Sequence, residues 1–230
     1  MPVRIIGLLS WYEEPASWLA ETVASAARLC DHIVAVDGPY AMFPGATMKP
    51  ASGTEQAEVI THTAAGAGIG CTIHAPRQLW WGNEVEKRSY TFQLGMTIAK
   101  PDDWFLIIDA DEVLVANSAD VRQKLATTDL DVAEVMIWER GDADSRTPHR
   151  RLFRALPGIT YRDAHYVVTA PTDTGLKILS GDHSIHKIEP AQELWDTRLE
   201  HRKQSRSAQR KQLKADYYAM VPDIEQVREL

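Results

Sequence analysis

The residues best suited to chemistry are the acids in DDWFLIIDADEVL, Asp102 to Leu114, where Asp109, Asp111 and Glu112 follow directly on the apolar run Trp104–Ile108. Read as a strand, this stretch alternates its side chains, so Asp109 and Asp111 share one side while Ala110 and Glu112 face the other. Two carboxylates crowded at a strand end repel each other, and burying them unpaired is costly. A divalent cation removes both problems. Carboxylate oxygens suit a hard ion, Mn²⁺ or Mg²⁺, that keeps positions open for a substrate's phosphate oxygens. The alternative is a plain exit into solvent, since Asp is common in turns.

The elements that must hold these acids follow from the hydropathy pattern. VRIIGLLSW (Val3–Trp11) reads as a buried strand. A helix over Pro15–Leu29 follows, with Trp18, Leu19, Val23, Ala26 and Ala27 at helical spacing and Pro15 in its first turn. DHIVAVDG (Asp31–Gly38) is a second buried strand. Strand, helix and strand in so short a span imply a right-handed crossover and a parallel sheet. Residues 38–53 read as a long loop. A helix is expected over Glu55–Ala65, a strand over Gly70–Pro76, a helix over Asn83–Ala99, a short helix capped by Ser118, and a strand over Val132–Trp138. Residues 141–186 hold the strand-like pieces RRLFRA, ITYRDAHYVV and HSIHKI, a partly antiparallel segment. From Pro190 to about Ala219 the pattern predicts one helix or two. The expected architecture is α/β: a mainly parallel sheet flanked by helices across 1–189, with a small antiparallel segment and a helical extension over 190–230.

The chain of 230 residues is long enough to bury a substantial core. Its net charge of −7 gives no overall argument for nucleic acid. The charge is uneven, because Arg198–Lys214 carries seven Lys or Arg against one Glu. Such a run is most often a solvated helix face, with an acidic partner, a membrane surface or a nucleotide diphosphate as other readings. Cys30 and Cys71 make no disulfide framework, no run approaches the roughly 20 apolar residues of a membrane span, and acids at Glu13 and Glu14 interrupt the first apolar stretch. A cytoplasmic protein is the expectation.

DDWFLIIDADEVL resembles the DxD strand of GT-A fold glycosyltransferases, especially family 2 and its lipopolysaccharide-core-type branch. Other pieces resemble that family in order. IIGLLSWYEEP resembles the first strand, with Tyr12 where Asn is usual; HIVAVDG resembles the second; WWGNEVEKRSYTFQLGMTIA resembles the helix bearing an Arg-Asn pair, here Arg88-Ser89; and RRLFRALPGITYRDAHYVV resembles a later segment, with Tyr166 where Glu is usual. The resemblance spans roughly residues 3–190. It implies a transferase that uses a nucleotide-diphosphate sugar donor, inverts the sugar and needs Mn²⁺ or Mg²⁺. The acceptor is open among protein, glycan and lipid-linked molecules.

Mapped onto this chain, the resemblance assigns donor contacts to Ser10, Tyr12, Glu13, Asp37, Arg88, Asp109 and Ala110. It assigns the metal to Asp109 and Asp111, with a late His as third ligand; of His183 and His186, His186 is preferred. Inversion needs a base for the acceptor's proton. Asp163 and His165 rank first, then Glu139 and Asp144. Arg151 and Arg154, taken to share a strand face, are open between binding phosphate or acceptor and making surface salt bridges. Two other functions compete: a metal-dependent nucleotidyltransferase or phosphohydrolase, for which no phosphate-cradling Gly loop is found, and a non-catalytic nucleotide-binding or assembly protein of the same fold.

Overall fold

The computed structural model describes residues 3–39, 51–75, 84–142, 144–162, 167–181, 187–202 and 208–220. Its first part alternates strands and helices: β1 (Ile5–Ser10), α1 (Ala16–Ala26), β2 (His32–Val36), α2 (Thr54–Gly66), β3 (Gly70–His74), α3 (Glu84–Met96) and β4 (Trp104–Asp109). Then come β5 (Glu112–Val115), α4 (Ser118–Thr127), β6 (Val132–Glu139), β7 (Thr147–Arg154), β8 (Thr160–Arg162), β9 (Val167–Thr172), β10 (Gly175–Ser180), β11 (Gln192–His201) and α5 (Ala208–Met220). No helix among the described residues is long and apolar enough to cross a membrane.

The result is a mixed α/β fold with an eight-stranded sheet in the order β3-β2-β1-β4-β7-β6-β11-β5 and a three-stranded antiparallel sheet, β10-β9-β8. β3, β2, β1 and β4 are mutually parallel, β7 runs against β4 and β6, and β11 is parallel to β6 but antiparallel to β5. The period of two in WFLIID sorts the core into two faces. Trp104, Leu106 and Ile108 pack with Leu19 and Val23 of α1, Ile60 of α2 and Leu125 of α4. Phe105 and Ile107 pack on the other face with Phe92 of α3, Tyr161 of β8 and Val168 of β9. Each fully buried side chain of this size contributes about 1.5–3 kcal/mol. α3 approaches closely because Gly95 lies against Phe105; a Cβ there would meet Phe105 Cε1 at 2.8 Å.

Three expectations change. The segment read as helix from Pro190 opens instead as the ten-residue β11, which lies inside the main sheet. Only 208–220 of that region is helical among the described residues. β11 buries Leu194, Thr197 and Leu199 between β6 and β5, and pairing with those strands outweighs the helix-favouring Glu, Leu and Arg of QELWDTRLEH. α4 is capped by Asn117, whose side chain accepts from the Asp120 amide, rather than by Ser118. β5 and β10 are strands that the hydropathy pattern did not single out. Residues 182–186 of HSIHKI lie outside the described residues.

Candidate functional site at the carboxyl ends of the parallel strands

The register aligns three sequence candidates. Ser10 ends β1 and pairs with Val36 on one side and with Asp109 on the other. Asp37 follows Val36 directly, so Asp37, Ser10 and Asp109 stand side by side at one sheet edge, the edge where parallel α/β sheets bind ligands. A cleft beside them is lined by Leu8, Ser10, Arg88, Phe92, Ile107 and Tyr161.

The alternation expected for the acidic run stops at Asp109, because the chain turns over residues 110 and 111 before β5 starts. Glu112, not Asp111, therefore stands with Asp109. Arg151 donates to Glu112 Oε1 at 2.6 Å and to Asp109 Oδ2 at 3.5 Å, and the Asp109 amide donates to Glu112 Oε2 at 2.8 Å. Arg88 donates to Asp109 Oδ1 at 3.0 Å and lies against the Tyr161 ring. Burial pushes the Glu112 carboxyl up to about 7 although Arg151 pulls the other way. Arg154 does not join this group. A strand's period of two puts positions three apart on opposite faces, and Arg154 pairs with Asp131 and stacks on Trp104 instead.

Asp111 points to a different partner. It is buried, and its Oδ2 lies 2.8 Å from Nε2 of His201, whose Nδ1 is 2.9 Å from Glu139 Oε1. A ring between two carboxylates donates from both nitrogens and carries a proton on each. Burial alone would lower its pKa, but the hydrogen bonds to Asp111 and Glu139 and the charges of Asp111 and Glu112 outweigh that and carry it to about 9. His201 was not among the candidates because its segment read as helix and 90 residues separate it from Asp111 in sequence. His186, the expected third ligand, lies outside the described residues, as do Asp163 and His165. Glu139 is thus an orienting partner of His201, while Asp144 is exposed in the β6–β7 turn, where its amide donates to Asp142.

The turn itself is held from behind. The Thr22 hydroxyl of α1 lies 2.7 Å from the Glu112 carbonyl and 3.0 Å from that of Ala110. The buried Ala110 is thereby tied to α1. Ser25 Oγ accepts from the Leu114 amide. These side chains replace the strand partner that the 110–114 backbone lacks on this side.

Two residues outside the candidate set build the rim. Ser52 donates from its amide and hydroxyl to the two oxygens of Asp37, both at 2.6 Å, and accepts from the Glu13 amide at 2.9 Å. Glu13 has a φ of 52°, uncommon for a residue with a Cβ. The buried Lys87 donates to the carbonyls of Trp11 and Gly38, both at 2.6 Å, and so ties α3 to the ends of β1 and β2. Tyr12 is half-buried on the same rim.

The donor chemistry fits a dication at Asp111. A metal-bound imidazole characteristically gives its other ring nitrogen to a carboxylate, and Glu139 stands there for His201. The imidazole favours Mn²⁺ over Mg²⁺. A dication there would require Nε2 to lose its proton first, so its binding would weaken as pH is lowered. No three His, Cys, Asp or Glu side chains among the described residues form a ready-made metal cluster. No protein-family model matches this chain, and no curated protein matches it.

Proposed function

We propose that this chain is a GT-A-type, family 2-like glycosyltransferase that moves a sugar from a nucleotide-diphosphate donor to an acceptor hydroxyl, with inversion. One observation carries the reading: Asp37, Ser10 and Asp109 end three adjacent parallel strands, and the chain then turns through Asp111 towards an imidazole. As the sugar leaves, its bond to the phosphate oxygen breaks and the electron pair stays on the diphosphate. Charge growing there needs fixed positive groups aimed at it. Arg88 and Arg151 supply guanidinium forks at Asp109. A dication held by Asp111 and His201, with Glu139 orienting the ring, would add Lewis-acid stabilisation of the same oxygens. Asp37, fixed by Ser52, faces the edge where ribose or base would lie. Asp163 and His165 remain the proposed bases for the acceptor's proton.

A second reading rests on the ion pairs of Asp109. With two guanidiniums already on it, the site can balance phosphate charge without an ion, and a nucleotide-binding protein without turnover would use the same residues. A thermal-shift series with UDP, GDP, CMP and TDP, each with and without Mn²⁺, separates the two. The transferase reading expects one nucleotide to stabilise the protein in a Mn²⁺-dependent way, and slow hydrolysis of the matching nucleotide sugar. Stabilisation independent of Mn²⁺ and without hydrolysis selects the second reading. No shift with any nucleotide removes both.

A further inference from the structure

The acidic turn is gripped by the residue that follows His201. We infer that Arg202 is a positioning residue for the Asp111 site, setting the backbone of the turn while His201 meets its side chain; this rests on the transferase reading above. Arg202 is 2% exposed, although it lies in the basic run that composition assigns to solvent. Its amide donates to the Asp111 carbonyl at 2.9 Å. Its Nε lies 3.4 Å from the same oxygen, and its Nη2 lies 3.4 Å from the Ala110 carbonyl. Nη2 also donates to Thr22 Oγ1 at 2.8 Å, the hydroxyl that reaches the Ala110 and Glu112 carbonyls. Nη1 donates to Glu21 at 2.6 Å, and the guanidinium stacks over Trp18, 4.9 Å from the ring centroid.

The planar fork therefore collects carbonyls from two successive turn residues and ties them to α1. A buried Arg that served packing alone would need one counter-ion, and Glu21 already provides it. Of the remaining donors, Nη2 also meets the Trp18 carbonyl of α1 at 3.2 Å and Thr22 Oγ1, while Nε and Nη2 reach the backbone of the turn that carries Asp111, and that backbone decides where the carboxylate stands relative to His201. Groups that orient a ligand residue rather than touch the ion change affinity by about 10- to 100-fold when removed.

The test measures Mn²⁺–nucleotide affinity by calorimetry, using the nucleotide selected in the thermal-shift series, well below the unfolding temperature of every variant. Arg202→Met keeps the stem over Trp18 and removes the fork; the expected affinity is about 10-fold weaker or worse. Arg202→Lys, which keeps the charge, is expected to recover part of that loss. Arg122→Met is the stability control: it removes a guanidinium that holds the Leu29 carbonyl and Asp31 at the other end of the sheet, and should lower stability with affinity unchanged. Should Arg202→Met fail to fold, Arg202→Lys and Thr22→Val carry the comparison, each expected to weaken binding beyond the control. Affinity within about twofold of wild type in the folded Arg202 and Thr22 variants overturns the inference while leaving the function standing. Absence of Mn²⁺-dependent binding by the wild-type chain overturns the transferase reading and this inference with it.

Discussion

The Asp111–His201–Glu139 chain makes a prediction that needs no ligand. Replacing His201 by Gln keeps a neutral hydrogen-bonding side chain and removes the charge. The rise of His201 from 6.5 to about 9, at about 1.4 kcal/mol per pKa unit, bounds its contribution at about 3 kcal/mol. The side chain is 22% exposed, so solvent screening reduces this to about 1–2 kcal/mol. A raised pKa means that the folded state holds the proton more tightly. The contribution is complete below about pH 6.5 and disappears as pH rises through about 9. Urea unfolding of metal-stripped protein should therefore show wild type ahead of His201→Gln by about 1–2 kcal/mol more at about pH 6 than at about pH 10. Titrating groups that do not interact with His201 cancel in that difference. An unchanging gap across the range would mean that the imidazole is not charged between the two carboxylates, and the reasoning would be wrong.

Three further outcomes can be checked. Asp111→Asn should abolish the Mn²⁺ dependence of nucleotide stabilisation in a thermal-shift series while leaving a folded protein, because the amide keeps the shape but not the charge. Glu112→Gln imitates the protonated acid that burial favours; since the raised carboxyl loses stability as pH climbs through about 7, the variant should gain on wild type between about pH 5 and pH 8 in denaturant titrations. A chain ending at Glu189 should fail to give a cooperative unfolding transition, because β11 is the strand that joins β6 to β5.

The parallel half of the fold was legible because its signals are local. Unbroken apolar strands, a Pro-started helix and a second strand within about 30 residues leave few topologies open. The alignment of Ser10, Asp37 and Asp109 follows from that local pattern. The rest depended on contacts between distant segments. Asp111 turns away from Asp109 because α1 side chains and Arg202 reshape the backbone at Ala110, which strand periodicity cannot anticipate. His201 and Arg202 were hidden in a segment whose composition favours helix and whose strand state is imposed by its neighbours. Ser52 and Lys87 bind backbone and carboxylate at the rim with no motif to mark them.

β11 enters an interior slot of the sheet after every one of its neighbours has been synthesised. Until residue 201 has left the ribosome, β5 has no strand to pair with, and the β6 edge remains an open template for other chains. Asp111 meets its imidazole only when that gap closes. A nascent chain stalled before this point would be aggregation-prone and would lack the Asp111–His201 pair, so that pair reports that the sheet is complete.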